Sequence, residues 1–279
     1  MTATLSLSVS LRDALSRVKT EVNKKLGRGH AADELRAALV ARERLFRSPP
    51  FTPEFAAAAR RITPQFHLAA DEASREIWEL SQNGSSWGEL EVLEPILRRL
   101  SEPRRVLEIG PGLGRSAVFF KKRLGWQQVP FDLYEGEGEA TKYTADGPRF
   151  EDSFCGDFAA LQAALEFNGI EAATIEDAAA HGYRLSDLPG PYDLVYSFYA
   201  VGYHWSLEHF LDEILELMTP TALGIFTIHK KFREFVGLER VAHRLVTYRR
   251  VVPKHRTSRL LLVSPDAVML DRLAAGAAE

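Results

Sequence analysis

Apolar residues follow one period up to about residue 100 and another beyond it. In the first stretch they recur at helical spacing: Leu11, Leu15, Val18, Val22 and Leu26 form a stripe that Gly27 closes. Glu34 to Phe46 continues the pattern until Ser48-Pro49-Pro50 breaks it. Helices are predicted again over Asp71 to Leu80 and Trp87 to Leu100, with Asn83-Gly84-Ser85-Ser86 as a turn between them. From Arg104, short β-rich runs alternate with helical ones. Strands are predicted at Arg105–Ile109, Pro130–Tyr134, Phe150–Cys155, Tyr192–Phe198 and Leu223–His229. Between them, Leu113–Leu124 and Leu207–Met218 read as helices; the latter puts Leu207, Phe210, Leu211, Ile214, Leu215 and Met218 on one face.

Such alternation predicts an α/β fold: a seven-stranded, mainly parallel, doubly wound sheet with helices on both sides. Its last two strands, Arg244–Val252 and Arg259–Val263, are joined by a short connection and read as an antiparallel C-terminal hairpin at the sheet edge. Residues 1–100 are expected to form a helical N-terminal cap or substrate lid, and 101–279 the α/β domain.

Composition narrows the function. The formal net charge is -3, without the basic surplus that a nucleic-acid binder uses to neutralise phosphates. Arg249, Arg250, Lys254, His255 and Arg256 form a local basic cluster, read as a solvated hairpin end. The single cysteine, Cys155, permits neither an intrachain disulfide nor a thiolate metal cluster and suits a reducing cytoplasm. The N-terminus is a poor signal peptide, and no segment approaches the roughly 20 apolar residues of a membrane span. A soluble, cytoplasmic protein is expected.

The most informative stretch is Val106-Leu-Glu-Ile-Gly-Pro-Gly-Leu-Gly-Arg-Ser116, a buried strand entering a glycine turn that opens a helix. Glycines there let the backbone approach a ligand, and the helix N-terminus favours an anion. The dinucleotide fingerprint G-x-G-x-x-G is not matched, because the glycines stand at 110, 112 and 114 with Arg115 at the fingerprint's last position. Glu135, 23 positions after Gly112, has the offset of a carboxylate that accepts both ribose hydroxyls of an adenosine cofactor.

The acidic-x-Gly-x-Gly-x-Gly pattern resembles motif I of class I, Rossmann-like S-adenosylmethionine-dependent methyltransferases, and the resemblance extends over residues 104 to 264 at four sites. It implies S-adenosylmethionine as cofactor. Glu108 would orient the ammonium group, with Gly110, Gly112 and Gly114 under the methionine part and Glu135 on the ribose. In Phe154-Cys-Gly-Asp-Phe158, Asp157 would bond the adenine amino group and Phe158 pack on the ring; Asp157 also suits an N-cap. Tyr192-Asp-Leu-Val-Tyr-Ser197 and the loop to Trp205 resemble motif IV, whose loop lies over the transferable methyl, and Ser197 joins the expected cofactor contacts. Asp193 reads as structural. Amine and nucleobase N-methyltransferases often carry Asn/Asp-Pro-Pro-aromatic at this point. Here the chain reads Ser197-Phe-Tyr-Ala200, which argues against an exocyclic nucleobase amine.

The sulfonium activates the methyl group, so the protein must mainly align an acceptor, and a hydroxyl acceptor must also lose a proton. His204, after the fourth strand, and His229, at the end of the fifth, are the candidate bases; His204 equally suits packing at a helix start. Tyr203 and Trp205 flank His204 and are candidate acceptor-pocket residues. Trp78, Trp87 and Phe66 are candidate lining from the N-terminal helices, with helix packing the other role for each. Ser197 to Leu207 contains no Asp or Glu, so no metal is expected.

The short strings around the glycine loop and Tyr199 to Trp205 are similar to bacterial sugar O-methyltransferases. The leading expectation is therefore O-methylation of a small-molecule hydroxyl, a sugar or sugar-containing metabolite first. A methyltransferase acting on protein or RNA and a non-catalytic cofactor-binding module stand as alternatives, and a homo-oligomer stays open.

Overall fold

The computed structural model describes residues 43–63, 67–137, 156–203, 205–228, 238, 241–249 and 257–275. The predicted strand Phe150–Cys155, the predicted helices before residue 43, Phe66, His204, His229 and the basic residues from Arg250 to Arg256 lie outside them. Among the described residues, no helix is long and apolar enough to cross a membrane.

Two helices precede the sheet. The first, α1 (Pro53–Ile62), starts where Thr52 accepts a hydrogen bond from the Phe55 backbone and proline occupies the first turn. The second, α2 (Glu72–Leu97), is capped by Asp71, which accepts from the Ser74 backbone N–H. It runs unbroken through Asn83-Gly84-Ser85-Ser86, so the turn expected there does not form. The reason is side-chain bonding. Asn83 accepts from the Phe46 backbone N–H (3.2 Å) and donates to the Phe46 (2.8 Å) and Glu79 (2.8 Å) carbonyls, which ties α2 to the extended segment beside it. Glu79 adds a bond from the Ser48 N–H at 2.8 Å.

The sheet follows: β1 (Val106–Ile109), α3 (Arg115–Leu124), β2 (Phe131–Glu135), α4 (Phe158–Phe167), β3 (Ala173–Asp177), β4 (Tyr192–Ser197), α5 (Leu211–Leu217), β5 (Met218–Ile228), β6 (Ala242–Arg249), β7 (Thr257–Ser264) and α6 (Ala267–Ala275). Its order is β3-β2-β1-β4-β5-β7-β6. Pairing is parallel from β3 across to β5, while β7 runs antiparallel to both β5 and β6. The expected seven-stranded, mainly parallel sheet with an antiparallel hairpin is the one observed. The third strand within it is Ala173–Asp177, a segment not singled out from the sequence.

The central strands β1 and β2 are buried on both faces, as parallel strands under two helical layers must be. Alternate side chains feed two cores. Val106, Phe131, Leu133, Leu194 and Tyr196 pack with residues of α1–α4 and α6. Leu107, Ile109, Tyr134, Val195 and Phe226 pack on the α5 side. Strand order reverses between β1 and β4, and in such sheets the crevice outside the carboxyl ends of the strands at that point is the usual ligand position.

Candidate active site

The three loop glycines answer to three different neighbours. All have positive φ: +71 at Gly110, +60 at Gly112 and +70 at Gly114. A Cβ at Gly110 would lie 2.4 Å from the Ala200 Cβ, so the loop after β4 sits directly on the loop after β1. A Cβ at Gly114 would meet Leu165 at 2.8 Å and Leu161 at 3.0 Å, so that glycine lets α4 pack against the turn. Gly112 alone faces room: its nearest neighbour would be Ile62, at the end of α1, at 3.5 Å. Of the three, Gly112 is therefore the one where a Cβ would be in ordinary contact rather than blocked.

The two acids that flank this turn are both buried, and they are held differently. Glu108 leaves β1 toward the α2–α3 face, where one carboxylate oxygen accepts from the Ser116 hydroxyl and the other from the Tyr196 hydroxyl at 2.8 Å. Ser116 is in the first turn of α3, so Glu108 fastens the glycine turn from beneath. Glu135 ends β2 and accepts backbone N–H bonds from Gly112 and Gly136, each at 3.0 Å. The sequence-predicted pair Gly112 and Glu135 is thus in direct contact. Burial pushes both carboxyls up to about 7, against which the hydrogen bonds to each act. Gly156 completes this corner. A Cβ there would lie 2.5 Å from Glu135 Cγ and 2.7 Å from the Gly136 carbonyl.

Asp157 caps α4 by accepting from the Ala160 N–H (2.9 Å) and also accepts from Arg61 of α1 at 2.7 Å. Its neighbour Phe158 opens α4 and is half-buried. Ile62 and Arg61 therefore bring the end of α1 over the crevice, a contribution the sequence analysis missed. Nothing in the pattern of a short amphipathic helix marks which of its ends will meet a distant loop.

On the β4 side, Ser197 is fully buried, donates to the Ile109 carbonyl at 2.8 Å and accepts from the Val201 N–H at 2.9 Å. It staples the β4 loop to the end of β1. Val201 and Trp205 then form a bridge that closes the loop on itself, and the Tyr203 N–H bonds the Ala200 carbonyl. Tyr203 stacks edge-on against Tyr199 (centroids 5.2 Å apart), and Trp205 against Phe210 (6.4 Å). Tyr199 has φ +72, rare for an aromatic residue. Its hydroxyl donates to Glu89 of α2 at 2.6 Å. Arg115 reaches the same carboxylate at 3.4 Å and lies over the Tyr199 ring. Glu89, Tyr199 and Arg115 also escaped the sequence reading. Glu89 belongs to a helix whose buried face is unusually polar, and only the fold shows what it meets.

The remaining candidates have packing roles. Trp78 is buried among Phe46, Phe51 and Phe55 and donates to the Thr63 hydroxyl. Trp87 donates to the Glu43 carbonyl under the Arg123 guanidinium. Asp193, at the amino end of β4, accepts from Arg104 and Thr219, far from the crevice mouth. The candidate bases His204 and His229 are not among the described residues. Among those that are, no group of three His, Cys, Asp or Glu could hold a metal ion.

No curated protein sequence matches the chain. Among solved structures it is similar to an SAH-bound methyltransferase of Podospora anserina, at 14% identity over 82% of this chain and 94% of that one, with a TM-score of 0.44. It is also similar to a cofactor-bound protein from MTB, at 15% identity over 77% and 91% of the two chains, with a TM-score of 0.45. Residues 87–260 match the family model described as a methyltransferase domain. That match takes in β1 through β6, the glycine turn, Glu135, Asp157 and the β4 loop, and the chain belongs to this methyltransferase family.

Proposed function

We propose that the protein is an S-adenosylmethionine-dependent O-methyltransferase acting on a small-molecule hydroxyl, with a sugar or sugar-containing metabolite as the first acceptor class. The observation that carries the reading is the contact of Gly112 with Glu135 at the carboxyl ends of β1 and β2, with Gly156, the residue before Asp157, packed on Glu135. Gly112 would admit the cofactor's methionine part against the backbone. Glu135, whose carboxylate already accepts two N–H bonds, has lone pairs left for ribose hydroxyls. Asp157, with Phe158 beside it, would take the adenine. The cofactor supplies an activated methyl group, and the chain's own work is alignment and proton removal.

Residues 1–100 would serve as a lid, and the reach of Ile62 and Arg61 over the crevice supports that division from the domain 101–279. His204 is proposed as the base that takes the acceptor's proton, with His229 next. Their positions follow the ends of β4 and β5, where acceptor and methyl group would meet. A small acceptor, rather than nucleic acid, agrees with the chain's slightly acidic charge, and a cytoplasmic location with its single cysteine.

The test has two steps. Calorimetry should show binding of S-adenosylhomocysteine and no comparable binding of NAD; the reverse pattern overturns the cofactor assignment. S-adenosylhomocysteine release should then be followed over panels of sugars, phenols, tRNA and folded proteins. Turnover confined to tRNA or protein would replace the small-molecule reading. With the productive acceptor, His204→Ala should lower kcat by roughly 100-fold or more, on the scale of general-base catalysis. A near-normal rate passes the base role to His229.

A further inference from the structure

We propose that Glu89, carried by the helix that precedes the sheet, is a positioning residue: it holds the Tyr199 hydroxyl and the Arg115 guanidinium and thereby sets the β4 loop against the glycine turn. The proposal rests on the reading above for what that loop does, since the β4 loop is where the acceptor would meet the methyl group.

A chain of contacts links Glu89 to the glycine turn. Glu89 is buried, so its charge needs partners, and it has three: Tyr199 at 2.6 Å, Arg115 at 3.4 Å and the Tyr248 hydroxyl of β6 at 3.4 Å. The 2.6 Å bond is that of a hydroxyl to a carboxylate, the stronger kind. Tyr199 keeps a left-handed backbone that a non-glycine residue holds only where its surroundings determine it. Glu89 from one side and the Tyr203 ring from the other supply those surroundings. The next residue, Ala200, presses on Gly110, leaving no room for a Cβ there. The β4 loop is thus seated, one residue from Tyr199, on the turn at Gly110.

Arg115 connects the same carboxylate to the start of α3. It lies over the Tyr199 ring, and it follows Gly114 directly. Glu89 therefore joins three parts that are far apart in sequence: α2, the first turn of α3 and the β4 loop. A carboxylate in that position fixes the spacing between the two loops that would hold donor and acceptor. The methyl transfer itself does not need Glu89 to touch either substrate.

Hydrogen–deuterium exchange on the full chain reads this directly, through the Val201, Gly202 and Tyr203 amides that bond within the loop. In free protein and with S-adenosylhomocysteine present, Glu89→Ala should speed exchange across 198–203 at least tenfold, while β1 and β2 exchange as in wild type. Glu89→Gln keeps an acceptor for Tyr199 and should restore protection to within threefold. Tyr199→Phe removes only the donor hydroxyl and should behave as Glu89→Ala, which keeps the test decisive if Glu89→Ala does not fold. S-adenosylhomocysteine affinity should stay within threefold in Glu89→Gln and Tyr199→Phe. Wild-type exchange at 198–203 in Tyr199→Phe, or Glu89→Gln no better protected than Glu89→Ala, overturns the proposal. A wild-type chain that binds no S-adenosylhomocysteine sinks the cofactor reading instead, and the free-protein exchange still judges Glu89.

Discussion

The two halves of the crevice are built from different material. Where β1 and β2 end, the surfaces are backbone: a turn with three left-handed glycines, and a carboxylate held by two N–H groups. Where β4 ends, the loop is held by side chains drawn from four elements: Glu89 of α2, Arg115 of α3, Tyr199 of the loop and Tyr248 of β6. A site made of backbone is set by strand register and by the absence of side chains, so it depends little on what surrounds it. A site made of side chains must be held by packing from elsewhere. On the proposed function, cofactor binding would fall to the first half and acceptor choice to the second.

The same contrast explains what was legible in the sequence. Gly110, Gly112, Gly114, Glu135 and Asp157 lie on short, patterned segments whose spacing reflects local geometry, and the structure brings Gly112 and Glu135 into contact. Glu89 lies 110 residues from Tyr199, and no local pattern encodes a pairing across that distance. Two elements were misjudged for related reasons. Asn83-Gly84 has turn chemistry, but Asn83 spends its side chain on Phe46 and the helix continues. β3 is an edge strand and only half-buried, so its sequence Ala-Thr-Ile-Glu-Asp lacks the apolar run that marks β1 and β4.

The sharpest way to break the division is to fill the backbone half. Gly112→Val places a β-branched side chain at φ +60 on the crevice side of the turn. S-adenosylhomocysteine binding should fall by about 100-fold or more, measured by calorimetry on protein with a cooperative melting transition. A folded variant that binds normally would show that the cofactor does not approach this turn.

Glu135→Ala comes next. Removing two charge-assisted bonds to ribose should weaken binding by about 1.5–3 kcal/mol. The variant also frees the N–H groups of Gly112 and Gly136, so part of any loss is a loosened turn. Glu135→Gln separates these effects through pH. Burial pushes the Glu135 carboxyl up to about 7 in the free protein, and the ionised form is the better acceptor for ribose hydroxyls. Affinity should fall by about tenfold per unit as pH drops below 7, the slope of a single proton. Glu135→Gln should flatten it. Stability of the cofactor-free chain runs the opposite way. A carboxyl raised from 4.5 to about 7 on folding stabilises the fold fully below about 4.5, and that contribution is lost as pH rises through 7. Chemical denaturation at pH 5 and pH 8 should show this opposite trend, less steep in Glu135→Gln. Identical pH slopes in both proteins would mean that Glu135 is not the titrating group.

The smallest effect is expected at the seam between the two helices before the sheet and the backbone half. Arg61 bonds Asp157 at 2.7 Å, but both side chains keep more than a quarter of their surface in water, 29% and 27%. An ion pair so exposed contributes about 0–1 kcal/mol, because solvent screens it and both side chains lose freedom in forming it. Asp157 is moreover fixed independently as the cap of α4 through the Ala160 N–H, so its carboxylate stays in place when Arg61 is removed. Arg61→Ala should therefore change S-adenosylhomocysteine affinity by less than about threefold and stability by less than about 1 kcal/mol. Asp157→Ala, which loses the cap and the proposed adenine contact together, should cost more on both measures. A tenfold loss of affinity in Arg61→Ala would show that α1 contributes side-chain binding energy to the cofactor. The helices before the sheet would then be part of the donor half rather than a cover over it.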